Sequence, residues 1–472
     1  MHKMYQTNKL NFLILSPIIF LFIPSMYISG GIPVYDIIIG LVILCLIISN
    51  KNKEFLKQLV SYKKYNFIVV LCLYILWVLL SGLILIIMGK YNFVYALYAI
   101  FILFLYNNFS WFLYPSLVFP RFYSLKQLIK FILIGIYIVC IYGLLVFLFD
   151  KFSLPILKPI HNIIVNRGFF EAMNTNSGEF VDRVFSVFEE PGYLGGFLVI
   201  NLPIIYSTIL SKYKILKNNK LNILFKKSYL PLVISVIIMT KSPIWLIFFM
   251  LVTFVYFYKS LFSKYLIKAL LVIMFILLPI FITFKNVDVS TTYLSRISNT
   301  ISTFSDMTLF VLKEPSLANR ILSYIVRVKI FEEYPITGIG YKNTEYHAKD
   351  FFYNLNMTLT QETQINLLNT SPKMGMNGAI FWNSLSDTGI VGTFFYYLFL
   401  IVLIKKANTI SKQLPEGLEQ TFLIALKKVY LTILCLSFYD LRPNFHYFWF
   451  MFGIMLVYLK KYKFDKFRRN IE

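Results

Sequence analysis

The feature that most constrains this chain is a series of apolar runs, each near the length of a membrane-spanning helix. They cover residues 10–29, 32–49, 67–88, 93–111, 128–149, 191–210, 229–241, 243–258, 267–284, 386–404, 429–440 and 445–459. A helix needs roughly 20 apolar residues to cross the hydrocarbon core of a bilayer. The series predicts an all-α polytopic integral membrane protein with about 12 transmembrane helices. The runs at 229–241, 243–258, 429–440 and 445–459 fall short of the full length. The first run has no small-residue cleavage site and leads straight into the second, so it reads as a span and not as a cleaved leader.

Composition excludes the competing classes. Apolar residues make up 58% of the chain and charged residues 14%, against about 45–50% and about 25% in soluble domains. A soluble chain of this kind would aggregate, and a disordered one would be polar. The net charge of +24 would point to nucleic acid in a soluble protein. Here its distribution reads as topology. With the N-terminus in the cytoplasm, 30 of the 46 basic residues fall in cytoplasmic segments. Of the other 16, 13 lie in two long outer loops, and the short outer turns hold only Lys90, Lys241 and Arg442. Every short loop obeys the positive-inside rule in one orientation, which puts both termini in the cytoplasm. No nucleic-acid partner is expected, and membrane lipid is the surrounding medium. The four cysteines lie in apolar runs and the four histidines form no cluster, so neither a disulfide framework nor a metal site is expected.

The expected organisation is a transmembrane bundle over 1–284, an outer loop over 285–385, and C-terminal helices with a basic cytoplasmic tail over 386–472. The bundle carries its own outer loop at 150–190. Within the large loop, Leu317, Ile321, Ile325 and Val328 repeat at helical spacing, which predicts an amphipathic helix on or over the membrane face. No inverted repeat is evident.

Four segments could carry chemistry. In DRVFSVFEEPGYLGGF, Arg183, Glu189 and Glu190 precede a span that Pro191 can open. A helix start offers unpaired N–H groups to an anion, and an arginine adds a forked donor set. Arg183 could equally pair with Asp182 or Glu190 and anchor the helix. In NRILSYIVRVKIFEEYPITGIGYK, Arg320 and Arg327 stand seven residues apart, near one helix face. They could clamp a diphosphate or meet lipid headgroups. Pro335 should stop that helix, and Gly338 and Gly340 permit a tight turn. In WNSLSDTGIVG, Asp387 sits at or just inside the membrane edge, as a functional group or a helix cap. Lys241 and Ser242 form a tight outer turn. His347 is the only histidine of the large loop, either a general base or an ordinary surface residue. Aromatic side chains near it, Tyr341 among them, could stack on sugars or pack on lipid.

In this order the segments resemble the O-antigen and capsule polymerase family and its sister O-antigen ligases. The likeness rests on Arg183 with Glu190–Pro191, on Lys241–Ser242, on Arg320 with Pro335-x-x-Gly338-x-Gly340, and on Gly389-x-x-Gly392. It covers 180–395 by motif and the whole chain by topology. The resemblance implies a GT-C-like glycosyltransferase fold in the bacterial plasma membrane, independent of metal, nucleotide or other cofactor. It implies transfer of a glycan from undecaprenyl pyrophosphate to a second acceptor on the outer face. For a polymerase, the acceptor is the next undecaprenyl-linked repeat unit. A chain-length regulator is a further partner to expect. Arg183 and Arg320 match the family's arginines, with Arg327, Lys241, Ser242 and Tyr341 as further substrate contacts. Ligases of the family carry a histidine about a dozen residues before the Gly-x-x-Gly. Here KMGMNGAIFWNSLSD has Asn377 and no histidine, which favours a polymerase. Glu190, His347 and Asp387 are then the candidates for general base. The alternatives are a ligase-type transferase and a lipid-linked oligosaccharide flippase.

Overall fold

The computed structural model describes residues 27–28, 32–33, 66–101, 125–151, 184, 186, 191–211, 213–240, 242–261, 315–344, 347, 379–438 and 449–456. Helices dominate them. In chain order they are α1 (Asn66–Ile87), α2 (Phe93–Leu97), α3 (Leu125–Lys151), α4 (Pro191–Ile209), α5 (Asn219–Met239), α6 (Pro243–Leu261), α7 (Pro315–Glu333), α8 (Ile380–Gln413) and α9 (Leu418–Leu436). Residues 449–456 are also helical. Near the N-terminus two short strands, β1 (Tyr27–Ile28) and β2 (Ile32–Pro33), pair antiparallel with Ile28 opposite Ile32. This hairpin takes up the facing ends of the first two predicted spans.

Among the described residues, five helices are long and apolar enough to cross a membrane: α1, α3, α4, α5 and α8. α1 shows why they need one. Phe67, Leu71, Tyr74 and Val78 face the core, while Val69, Leu73, Leu76, Leu80, Leu83 and Ile87 are exposed. Leaving a large apolar side chain in water forgoes about 1.5–3 kcal/mol, so that second face belongs in hydrocarbon. α1 ends where Gly89, at φ 67°, closes the helix. The Gly89 N–H donates to Ile86 O and the Lys90 N–H to Leu85 O, the paired bonds of a glycine C-cap.

α4 is the most enclosed span, with 89% of its apolar window buried against 33% for α1 and α5. It packs on α5, α6 and α9. Its glycines explain the fit with α6. A Cβ at Gly195 would lie 2.8 Å from the Trp245 ring, and one at Gly196 would lie 2.9 Å from it. The indole thus lies against bare backbone.

Two helices begin ten or more residues ahead of their apolar runs. α5 starts ten residues ahead of the predicted 229, because Asn218 caps it by accepting from the Lys220 and Leu221 N–H groups. The lysines that hid this start lie on the helix, and Lys226 reaches back to Ser211 O at 2.6 Å. α9 starts at Leu418, eleven residues ahead of the predicted 429, and α8 extends to Gln413. The basic segment 405–428 is therefore mostly a helical hairpin.

Helix ends meet in two groups. The turn 88–92 meets 339–344, and Phe381 N–H donates to Ser437 O at 3.0 Å. At the opposite end, a Cβ on Gly417 would lie 3.8 Å from the Tyr213 hydroxyl.

Candidate functional site: a broken helix and the loop that completes it

α8 opens with a polar run, Asn383, Ser384, Ser386, Asp387 and Thr388, and all five are buried. Helical geometry fails at Gly389, with φ 67° and ψ −169°. This is a left-handed position that glycine alone adopts without steric cost. In an unbroken helix the Ser386 and Asp387 carbonyls would accept from residues four positions on. Here Ile339 N–H donates to Ser386 O at 2.8 Å and Gly340 N–H to Asp387 O at 3.0 Å. In exchange, Ile390 N–H donates to Pro335 O at 2.9 Å. The Trp77 indole N–H donates to Thr388 O at 2.9 Å. The loop after α7 thus satisfies the backbone groups that the break releases, as backbone at membrane depth requires.

Two glycines allow this approach. A Cβ on Gly338, which has φ 64°, would lie 2.5 Å from the Asp387 carbonyl carbon. A Cβ on Gly389 would collide with the Ile336 carbonyl oxygen. The Trp77 bond ties the break to a point far along α1. Trp77 stands ten residues before the end of α1, about 15 Å along a helix axis.

Side chains tie the same parts together. Arg327, 2% exposed, projects from α7. Its Nε donates to Ser323 Oγ at 3.3 Å and its Nη1 to Ser386 Oγ at 3.1 Å. Asp387 is 5% exposed. Its Oδ1 accepts the Thr344 hydroxyl at 2.5 Å, and its Oδ2 accepts the Lys342 N–H at 3.2 Å. The charges of Arg327 and Lys342 act on this carboxylate. Asn343 Nδ2 donates to Ile339 O at 2.8 Å and to Lys90 O at 3.1 Å. The Tyr91 hydroxyl donates to Tyr341 O, and the Tyr95 hydroxyl to Lys342 O at 3.3 Å.

The structure therefore brings together Arg327, Asp387 and Tyr341 of the sequence candidates. Tyr341 contributes its backbone, and its ring is buried. Arg320 lies in the second turn of α7, ahead of Arg327 on the same helix. Ser242 is buried at the start of α6. His347 is half-buried, and its N–H reaches toward Asn343 O at 3.4 Å. Arg183, Glu190 and Lys241 lie outside the described residues. Sequence reasoning missed Lys342, Thr344, Ser386, Tyr91 and Tyr95. The polar run 383–388 inside an apolar span was the available signal. Among the described residues no group of three or more His, Cys, Asp or Glu could hold a metal ion.

Chemically, the cluster holds one oriented carboxylate, a forked cation and a lysine on a fixed loop. No protein-family model matches the chain, and no curated protein matches it as a relative. The fold defines the class: a helical, polytopic membrane protein. Its distinguishing feature is a spanning helix broken at Gly389 and completed by a separate loop.

Proposed function

We propose that this protein is a polymerase of a bacterial surface polysaccharide, O-antigen or capsule, with a GT-C-like fold. It would extend a glycan carried on undecaprenyl pyrophosphate at the outer face of the plasma membrane. The observation that carries this reading is the junction itself. Pro335-x-x-Gly338-x-Gly340 and Gly389-x-x-Gly392, two motifs of the resemblance far apart in the chain, bind each other backbone to backbone. Arg320 and Arg327 lie on the helix that leads into that junction.

In this reaction the acceptor hydroxyl attacks the anomeric carbon of the donor. The bond from that carbon to the diphosphate oxygen breaks, and undecaprenyl pyrophosphate leaves with the electron pair. The hydroxyl proton passes to a base. Arg183 and Arg320 neutralise the charge growing on the leaving group, where fixed donors act most strongly. Both Asp387 oxygens already accept hydrogen bonds, which suits Asp387 to holding the loop. Glu190 and His347 are then the candidates for the proton.

The test is reconstitution with a synthetic undecaprenyl-pyrophosphate-linked repeat unit, without nucleotide or metal. A ladder of longer lipid-linked glycans supports the polymerase. A second reading, a lipid-linked oligosaccharide flippase, draws on the broken helix with buried charge, an arrangement common in transporters. Movement of lipid-linked sugar between liposome leaflets with no ladder would establish it instead.

A further inference from the structure

We infer that the start of α4 and the indole of Trp245 form a binding site for a phosphoryl oxygen, with the Trp245 N–H as its side-chain donor. Trp245 is the third residue of α6 and is 2% exposed. Its Nε1 is buried and has no hydrogen-bond partner among the described residues. The Trp77 and Trp382 indoles, by contrast, donate to Thr388 O and Phe438 O. A buried donor with no acceptor weakens a fold, and a purely apolar ring would carry no such penalty. The missing acceptor is one that a ligand supplies.

The ring shows where that acceptor belongs. It lies along three glycines of α4. Cδ1 and Cγ face Gly195, and the six-membered ring faces Gly196. The nitrogen edge is turned to Gly192, where a Cβ would stand 3.6 Å from Nε1. Gly192 is the second residue of α4, directly after Pro191. Its N–H has no acceptor within the helix, because a helix leaves its first N–H groups unpaired. A backbone donor and a side-chain donor thus lie together at the first turn.

An indole nitrogen only donates, so the ligand must accept. The positive end of a helix dipole selects a negative acceptor. Val184, which follows Arg183 in sequence, is buried and donates its N–H to Met239 O at 3.0 Å. That bond ties the segment ahead of α4 to the end of α5, just before the turn into α6. Ser242, on that turn, is buried as well. On the topology expected from the charge pattern, α4 and α6 both start on the outer face. Trp245 belongs to none of the motifs of the resemblance. The site rests on the polymerase reading for the identity of its ligand, a lipid-linked diphosphate. A phospholipid headgroup offers the same oxygens.

The experiment uses full-length protein in maltoside micelles, which carry no phosphate, with its tryptophans isotope-labelled on the indole nitrogen. Inorganic diphosphate is titrated in and followed by calorimetry and by the indole N–H resonances. Saturable binding is expected, with a downfield shift of the Trp245 N–H and none of the Trp77 N–H, which Thr388 O already holds. Trp245→Phe should weaken binding about five-fold. Single replacements of the other tryptophans assign the resonance independently, so the wild-type shift is readable even where Trp245→Phe does not fold. Wild-type protein that binds no diphosphate would overturn the site. So would a Trp245 resonance unmoved at saturation, a shift shared equally by Trp77, or a folded Trp245→Phe variant that binds normally. Farnesyl diphosphate and a short-chain phosphatidylglycerol, added as competitors, identify the source. Stronger displacement by the isoprenyl diphosphate indicates the lipid-linked donor, and stronger displacement by the phosphatidylglycerol indicates a headgroup; both uphold the site. Diphosphate binding without glycan ladders would count against the polymerase alone, and ladders at the wild-type rate from Trp245→Phe protein against this site alone.

Discussion

Gly340 donates its backbone N–H to the Asp387 carbonyl over 3.0 Å. That carbonyl would otherwise belong to its own helix. The bond is one of three main-chain bonds that replace helical ones where α8 breaks, so the loop after α7 is part of the span.

Gly389→Ala should destabilise the protein by about 2–4 kcal/mol, from the left-handed backbone and the clash with Ile336. Gly89 shares the φ of 67° but has open space around it, so Gly89→Ala should cost only about 1 kcal/mol. Denaturant unfolding in detergent measures both. Equal losses would mean that the Ile336 approach is not a tight one.

Arg327→Met should cost about 3 kcal/mol, because it leaves Asp387 buried without its arginine. Combined with Asp387→Asn, the loss should be smaller than the sum by at least about 1 kcal/mol. Additive losses in the double-mutant cycle would show that the two groups do not act on one another.

Thr344→Val removes the hydroxyl that Asp387 accepts at 2.5 Å. It should cost about 1–3 kcal/mol, the penalty for a buried acceptor left unmade. Proteolysis within 339–344 should accelerate at the same time. A variant that unfolds like wild type and resists cleavage would argue against this anchor.

Cysteines placed at 90 and 342 in a cysteine-free background should react with a membrane-impermeant maleimide on intact cells. Cysteines at 217 and 412 should react only after permeabilisation. The reverse pattern would invert the topology, and labelling of all four from outside would break the grouping of ends.

Much of the span pattern was legible because hydrophobic length is local information. The structure places helices on the predicted runs at 67–88, 128–149, 191–210 and 243–258. Legibility failed where polar residues lie on a helix. Lys220, Lys226 and Lys227 masked the first turns of α5, although the Asn218 cap marked its start. The amphipathic helix 316–334 was legible from its spacing. Its burial of Arg327 was not, because that depends on Ser386, 59 residues away. Gly338 and Gly340 stood out as turn formers, and Gly389 only as part of a Gly-x-x-Gly at a helix start. Their mutual approach is a tertiary relationship that no local pattern encodes.

The most direct test of the functional account is a count of undecaprenyl pyrophosphate released by reconstituted protein against repeat units joined. The account predicts one diphosphate lipid freed per bond formed, with no release from Arg320→Ala protein that still inserts. Lipid-linked repeat units that change leaflet without any release of undecaprenyl pyrophosphate would contradict it.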